Sequence, residues 1–279
     1  MKLISIVIPF YYGNKYIEKT ISSINEAIKN SKIQKNFFEI IIINDSKEEV
    51  VLNEQGVDIY INEQNLGIHE SRIRGIKKAS GKYILLLDQD DSITKEAFCN
   101  INFDDDFDCL VSNGIYEYKD SFKLIYKNKR ALRLSTNYNA YLYFRNQIIS
   151  PGQCLIKKSS IPNEWFDNIL KINGTDDFFL WLLMFKYKKT FKTNNQVTYV
   201  HHFTDSNVSS NAFKMYESEA KMIDILDSLP IMSKKEIKII RKSSIYNYRK
   251  RKSLNDFLVY SIKHFGIFIR NIYYLIKKA

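Results

Sequence analysis

Apolar positions in the first third of the chain come in short unbroken runs, separated by stretches with apolar residues three or four apart. Ile4 to Phe10 is a compact, β-branched run that ends in a proline and a turn. Asn14 is placed to cap a helix whose Ile17, Ile21, Ile24 and Ile28 share one face. Phe38 to Ile43 reads as a second buried strand, stopped by Asn44-Asp45-Ser46, and Val57 to Ile61 as a short third. Gly67 to Ser80 reads as a helix stopped by Gly81, and Tyr83 to Leu87 as a fourth strand running into Asp88-Gln89-Asp90-Asp91. Apolar strands alternating with helices predict an α/β fold with a parallel sheet covered on both faces.

The character changes near Lys214. The remainder reads as two or three helices with breaks near Pro230 and Ser253, and it carries 15 Lys/Arg against 6 Asp/Glu. In its last helix Leu254, Leu258, Ile262, Phe265, Ile269, Ile272 and Ile276 form an apolar stripe, with Asp256, Lys263, Arg270 and Lys277 on the opposite face. That stripe either packs onto the rest of the chain or meets an anionic membrane, with Arg249-Lys-Arg-Lys252 beside it.

Composition narrows the class. The 279 residues suffice for one large core or two modest ones, and the net charge is +11. Three cysteines with no close pair argue against a disulfide framework or a cysteine zinc site, so a reduced, cytoplasmic compartment is expected. The apolar run at the N-terminus is too short for a signal peptide. Phe257 to Ile276 is too interrupted by charge for a membrane span.

In open α/β sheets ligands bind beyond the carboxyl ends of the strands, and three polar clusters fall there: Pro9 to Tyr12, Asn44-Asp45 and Asp88 to Asp91. If the strand stays extended, Asp88 and Asp90 point the same way. Two such carboxylates repel unless a cation offsets them, and a divalent ion that also holds substrate phosphates is the natural partner. The alternative is a solvated acidic turn capping a helix from about Thr94.

The motifs Ser5-Ile-Val-Ile-Pro-Phe-Tyr11, Ile43-Asn-Asp45, Asn65-Leu-Gly67 through Arg72, and Gly75 to Gly81-Lys-Tyr-Ile-Leu-Leu-Leu-Asp88-Gln-Asp90-Asp91 resemble family 2 glycosyltransferases of the bacterial surface-polysaccharide type. The resemblance covers residues 3–95 strongly and continues more weakly to about 210. It implies a GT-A catalytic domain over residues 1–212, a mostly parallel sheet flanked by helices, with 213–279 as a basic amphipathic C-terminal helical region. It implies a UDP-sugar donor and Mn2+ or Mg2+. By the same resemblance Pro9, Phe10 and Tyr11 form the base pocket, and Asp45 accepts from a base N–H, with Asn65, Gly67, Arg72 and Gln89 nearby. Asp88 holds ribose or metal and Asp90 is the principal metal ligand. Ile73 departs from a position that is often Asn in the family, and His69-Glu70 from one where small residues are common.

In the second half, Asn173-Gly174-Thr175-Asp176-Asp177 opens a helix, where the dipole alone favours carboxylates. The resemblance makes Asp177 the general base for an acceptor hydroxyl, with Asp176 orienting the acceptor or serving in its place. Trp181 and Asp91 are placed at the sugar or acceptor. Ser150-Pro-Gly-Gln153 is either a plain turn or a close approach to ligand, with Gln153 on the sugar. Tyr199-Val-His201-His202 ends a strand and resembles the family's late histidine, and His202 is taken as the one that reaches metal or diphosphate. Adjacent strand residues face opposite sides, so only one of the pair can.

The expected activity is transfer of a sugar from a UDP-sugar to a glycan or polyprenyl-linked acceptor, with inversion and a metal. A non-catalytic nucleotide-sugar-binding or membrane-associated adaptor of the same fold is the second reading. A nucleic-acid binder is the third, and it lacks any accompanying motif.

Overall fold

The computed structural model describes residues 2–118, 121–203 and 211–279. The chain divides into two compact units: Met1–Ile125, Ile149–Ile161 and Lys189–Asp205 form the first, and Tyr126–Ile148, Pro162–Lys188 and Ser206–Ala279 the second.

In the first unit β1 (Ile4–Phe10), β2 (Phe38–Asn44), β3 (Val57–Ile61) and β4 (Tyr83–Leu86) run parallel in the spatial order β3-β2-β1-β4. All of β1 is buried, as a central parallel strand requires, whereas β3 at the edge is largely exposed. Helices α1 (Asn14–Asn30) and α2 (Ile68–Lys78) connect these strands. Ile17, Ile21, Ile24 and Ile28 are all on the buried face of α1. Asn14 opens that helix without capping it: its amide donates to the Glu49 carbonyl and accepts from the Val51 N–H, holding the loop beyond β2.

Beyond β4 the sheet becomes mixed. It continues through β5 (Ser92–Ile93), β6 (Cys109–Tyr118), β7 (Ser121–Leu124), β8 (Cys154–Lys157) and β9 (Phe191–His202). β8 is antiparallel to both β4 and β6, β9 is parallel to β6, and β5 is antiparallel to β9. Residues 95–100 form turns, not a helix.

The second unit is helical: α3 (Lys129–Leu132), α4 (Tyr138–Tyr143), α5 (Asn163–Asp167), α6 (Asp176–Lys186), α7 (Ala212–Ser228), α8 (Lys234–Lys252), α9 (Leu254–Lys263) and α10 (Phe265–Lys278). α6 is apolar on every side from Phe178 to Met184, and all of that run is buried. α8 starts on a capping box in which Ser233 and Glu236 bond each other's N–H groups. Glu236 also receives Lys186 from α6 and the Tyr138 hydroxyl from α4, so one carboxylate joins three helices.

Two readings of the tail change. The units do not divide at 212/213, because Tyr274 of α10 packs in one cluster with Leu134, Ala140 and Phe144. The last helix is two, broken at His264, whose backbone (φ −127°, ψ 49°) is not helical. The face that packs is set by Tyr260, Ile267, Asn271 and Tyr274, with Asn271 donating to the Tyr143 carbonyl. The apolar stripe read along the sequence lies elsewhere, in solvent.

Candidate active site

The polar clusters stand at the carboxyl edge of the parallel strands. A hollow of about 350 Å³ at the opposite edge, lined by Lys2, Lys32 and Lys82 among others, includes no residue of the three polar clusters. Pro9 and Phe10 are buried and support the edge from below, so Phe10 does not touch a ligand directly. Tyr11 is 50% exposed, with the Tyr12 ring edge-on to it at 4.8 Å. Its backbone is held by the Gln89 side chain: the Tyr11 N–H donates to Oε1 at 2.8 Å and Nε2 donates to the Tyr11 carbonyl at 3.0 Å. A Cβ at Gly13 would come within 2.2 Å of the same amide, so Gly13 leaves the room that Gln89 fills. Gln89 therefore positions Tyr11 through the backbone.

Asp45 is 5% exposed and already busy. Its Oδ1 accepts from Asn62 Nδ2 at 2.7 Å and the Leu66 N–H at 2.8 Å, and its Oδ2 from the Gly67 N–H at 2.8 Å. These bonds fold the 65–67 segment, where Asn65 Oδ1 also accepts from the Gly67 N–H. A carboxylate oxygen has two lone pairs, and the Gly67 N–H takes one on Oδ2.

Asp88 to Asp91 do not continue the strand. The Asp91 N–H bonds the Asp88 carbonyl at 3.1 Å, and Thr20 Oγ1 donates to the Gln89 and Asp91 carbonyls from α1, making a pinned turn. Arg72, buried on α2, donates to Asp88 Oδ1 at 2.5 Å. Asp88 and Asp90 are partly exposed on this turn.

Asp91 is different: it is 2% exposed and surrounded by donors. It accepts from the Tyr199 hydroxyl, from His201 Nδ1 at 3.0 Å and from the His202 N–H at 3.1 Å. Burial and the Asp91 charge hold the Tyr199 pKa well above its ordinary value, so the phenol stays a donor. Asp91 is thus a buried anchor between the turn and β9, not a sugar contact. Gly152 is explained by the same ring, since a Cβ there would lie 2.8 Å from Tyr199. Gln153 is 2% exposed, accepts from the Ile149 N–H and donates to the Ser112 carbonyl, so it braces a turn and does not reach a sugar.

The two histidines of β9 are held differently. His202 is held by Ser92 through Nε2 and by Glu117 through Nδ1, so both ring nitrogens are already engaged. Burial, with Lys19, outweighs Glu117 and lowers its pKa. His201 shares a face with Tyr199 and lies by Asp91, in the field of Asp90 and Asp88. Burial works to lower its pKa, but the Asp91 hydrogen bond and the three carboxylate charges together raise it.

Among the described residues no three His, Cys, Asp or Glu side chains form a preassembled metal cage. The donor chemistry nonetheless fits Mg2+ or Mn2+, which bind through one or two carboxylates and complete their shell with substrate phosphate and water. Asp90 and Asp88 are the carboxylates on the turn that would hold it. His201, its Nδ1 on Asp91, has the orientation that a carboxylate partner imposes on a ligating imidazole.

In the second unit, Asp176 and Asp177 open α6 and are 4% and 8% exposed. Asp177 Oδ2 accepts from Asn146 Nδ2 at 2.9 Å and Oδ1 from the Phe178 N–H at 2.7 Å, which fixes the carboxylate in one orientation. The Asp176 carbonyl accepts from the Trp165 indole at 2.8 Å. Trp181 is fully buried in the middle of α6 and is core, not an acceptor platform. Sequence reasoning missed Asn146 and Asn62, and it did not foresee His201 on Asp91. Parity with the buried Tyr199 was the available signal for His201; nothing local marked the two asparagines.

A model described as glycosyl transferase family 2 matches residues 5–164, more than half of the chain. The chain belongs to glycosyl transferase family 2. It is a glycosyltransferase with the GT-A fold. Among solved structures, residues 1–349 of S. aureus TarS in complex with UDP-GlcNAc match this family 2 chain with a TM-score of 0.60 at 16% identity, over 93% of this chain and 79% of that one. Mannosyltransferase PcManGT from Pyrobaculum calidifontis, in complex with GDP-Man and Mn2+, matches with a TM-score of 0.58 at 11% identity, over 94% and 75%. At such identities the likeness is one of fold. No curated protein sequence matches this one.

Proposed function

We propose that this family 2 enzyme transfers a sugar from a UDP-sugar to a saccharide or polyprenyl-linked acceptor, with inversion and with the help of Mn2+ or Mg2+. The observation that carries the reading is the pinned Asp88–Asp91 turn. It presents two partly exposed carboxylates beside Arg72 and His201, chemistry suited to a diphosphate accompanied by a divalent cation. Asp90, Asp88 and His201 would hold that cation, which when bound would offset the charge developing on the departing diphosphate. Tyr11 stacks on the base and Asp45 Oδ2 accepts its N–H, a pattern that suits uracil N3–H. The likeness to a TarS structure with UDP-GlcNAc supports this donor class.

The chemical step needs a base. As the acceptor oxygen bonds to the anomeric carbon and the bond to the diphosphate breaks on the other face, Asp177 takes the hydroxyl proton. Asn146 and the Phe178 N–H hold the carboxylate for this. The test is UDP release across a panel of UDP-sugars with Mn2+ and a lipid-linked saccharide acceptor. Asp177→Asn should reduce turnover by about 10²–10⁴ while UDP still binds. A dead Asp176→Asn beside an active Asp177→Asn would transfer the role to Asp176. UDP binding with no turnover on any donor would leave the adaptor.

A further inference from the structure

We infer that the outward faces of α9 and α10 form a docking surface for an anionic phospholipid bilayer. α10 is apolar on two opposite sides. Ile267, Asn271 and Tyr274, spaced four and three apart, are buried against the second unit. Phe265, Ile269, Ile272 and Ile276 lie half a turn round the helix and are 62%, 46%, 37% and 63% exposed. The strip continues onto α9, where Ile262 is 78% exposed. A helix that has already buried one face has no folding reason to keep a second apolar stripe in water, and an exposed patch of this kind marks an interaction site.

Charge selects the partner. Between Arg249 and Ala279 stand eight Lys/Arg and a single acidic residue, Asp256. Lys250, Arg251, Lys252, Lys263 and Arg270 are exposed. Exposed apolar residues on helices that also carry a large excess of cations fit the headgroup and upper acyl region of a bilayer rich in acidic lipid. A second copy of this chain is the poorer occupant, because a two-fold contact would bring the same cations face to face. The geometry also excludes spanning. α10 has 14 residues, about 21 Å of helix against a hydrocarbon core of about 30 Å, and no helix among the described residues is long and apolar enough to cross. The helices therefore lie in the plane of the interface.

This surface stands independently of the transferase reading, and its test reads no turnover, so the two can fail separately. The full chain is sedimented with vesicles of pure phosphatidylcholine, or of equal parts phosphatidylcholine and phosphatidylglycerol, at low and high salt. Binding should be at least about tenfold stronger to the anionic vesicles and should fall by a similar factor at high salt. Ile262→Ser with Phe265→Ser should remove it while leaving the thermal midpoint within a few degrees, since both side chains are exposed. Lys250→Glu with Lys252→Glu, which leaves the stripe intact, should weaken binding to anionic vesicles alone. No binding at all, or equal binding to both vesicle types, overturns the proposal. So does a dimer at low salt that the stripe variant abolishes without any vesicle binding, which would give the surface to a second copy.

Discussion

With Nδ1 of His201 directed at Asp91, Nε2 is the ring atom left to meet a metal or phosphate. His201→Ala should therefore weaken the Mn2+ dependence of UDP release about tenfold or more, by the scale of losses seen when metal-site residues are removed. His202→Ala leaves Glu117 and Ser92 without their imidazole and should lower the thermal midpoint with little change in metal affinity. A Mn2+ titration of both variants checks the pair, and the reverse pattern would restore His202 to the site. At this scale the sequence was legible where partners are near in the chain. Asp88 and Asp90 belong to one turn, and Asp176 and Asp177 to one helix start. It was not legible where a partner is remote: Asp91 meets Tyr199 108 positions later, and Asn146 meets Asp177 31 positions on. Gln153, Trp181 and Asp91 look like ligand residues by type, and only packing shows that their polar atoms or rings are already occupied.

Hydrophobic period located most elements because each strand and helix must bury its own face. The Ile4–Phe10 and Val57–Ile61 strands and the Asp176 start of α6 match their sequence patterns. The break at His264 escaped, since the stripe Leu254 to Ile276 keeps its spacing across it. Cohesion between elements rests on a few polar joints. Burial resists ionisation of Glu236, but its bonds to Ser233, Lys186 and Tyr138 pull its pKa down from the ordinary 4.5 to about 2. A depressed carboxylate pKa stabilises the fold above the unfolded value and loses that contribution as pH falls through the folded one. Glu236→Gln should thus cost about 1–3 kcal/mol at neutral pH. The difference from the unsubstituted chain should shrink below about pH 4.5 and close near pH 2, as urea unfolding at several pH values would show. A second joint is steric. Gly152→Ala drives a methyl into Tyr199 and, through it, disturbs Asp91, so it should destabilise by about 1–3 kcal/mol in the same assay.

Across the described residues no two of the three cysteines share a disulfide, with Cys109 and Cys154 buried and Cys99 partly exposed. Reductant should leave the thermal midpoint unchanged, and thiol labelling of the native chain should modify Cys99 alone. A reductant-dependent midpoint would contradict this arrangement. Charge is distributed less evenly than the cysteines, and together with the bare side of α10 it gives salt two opposed effects on solubility. In dilute buffer, like-charged copies repel and stay dispersed. At about 1 M salt that repulsion reaches only about 3 Å, while attraction between apolar faces is undiminished or, with sulfate, strengthened. If the proposed bilayer contact forms, a concentrated salt wash that breaks it delivers the protein into the solution where its colloidal stability is lowest.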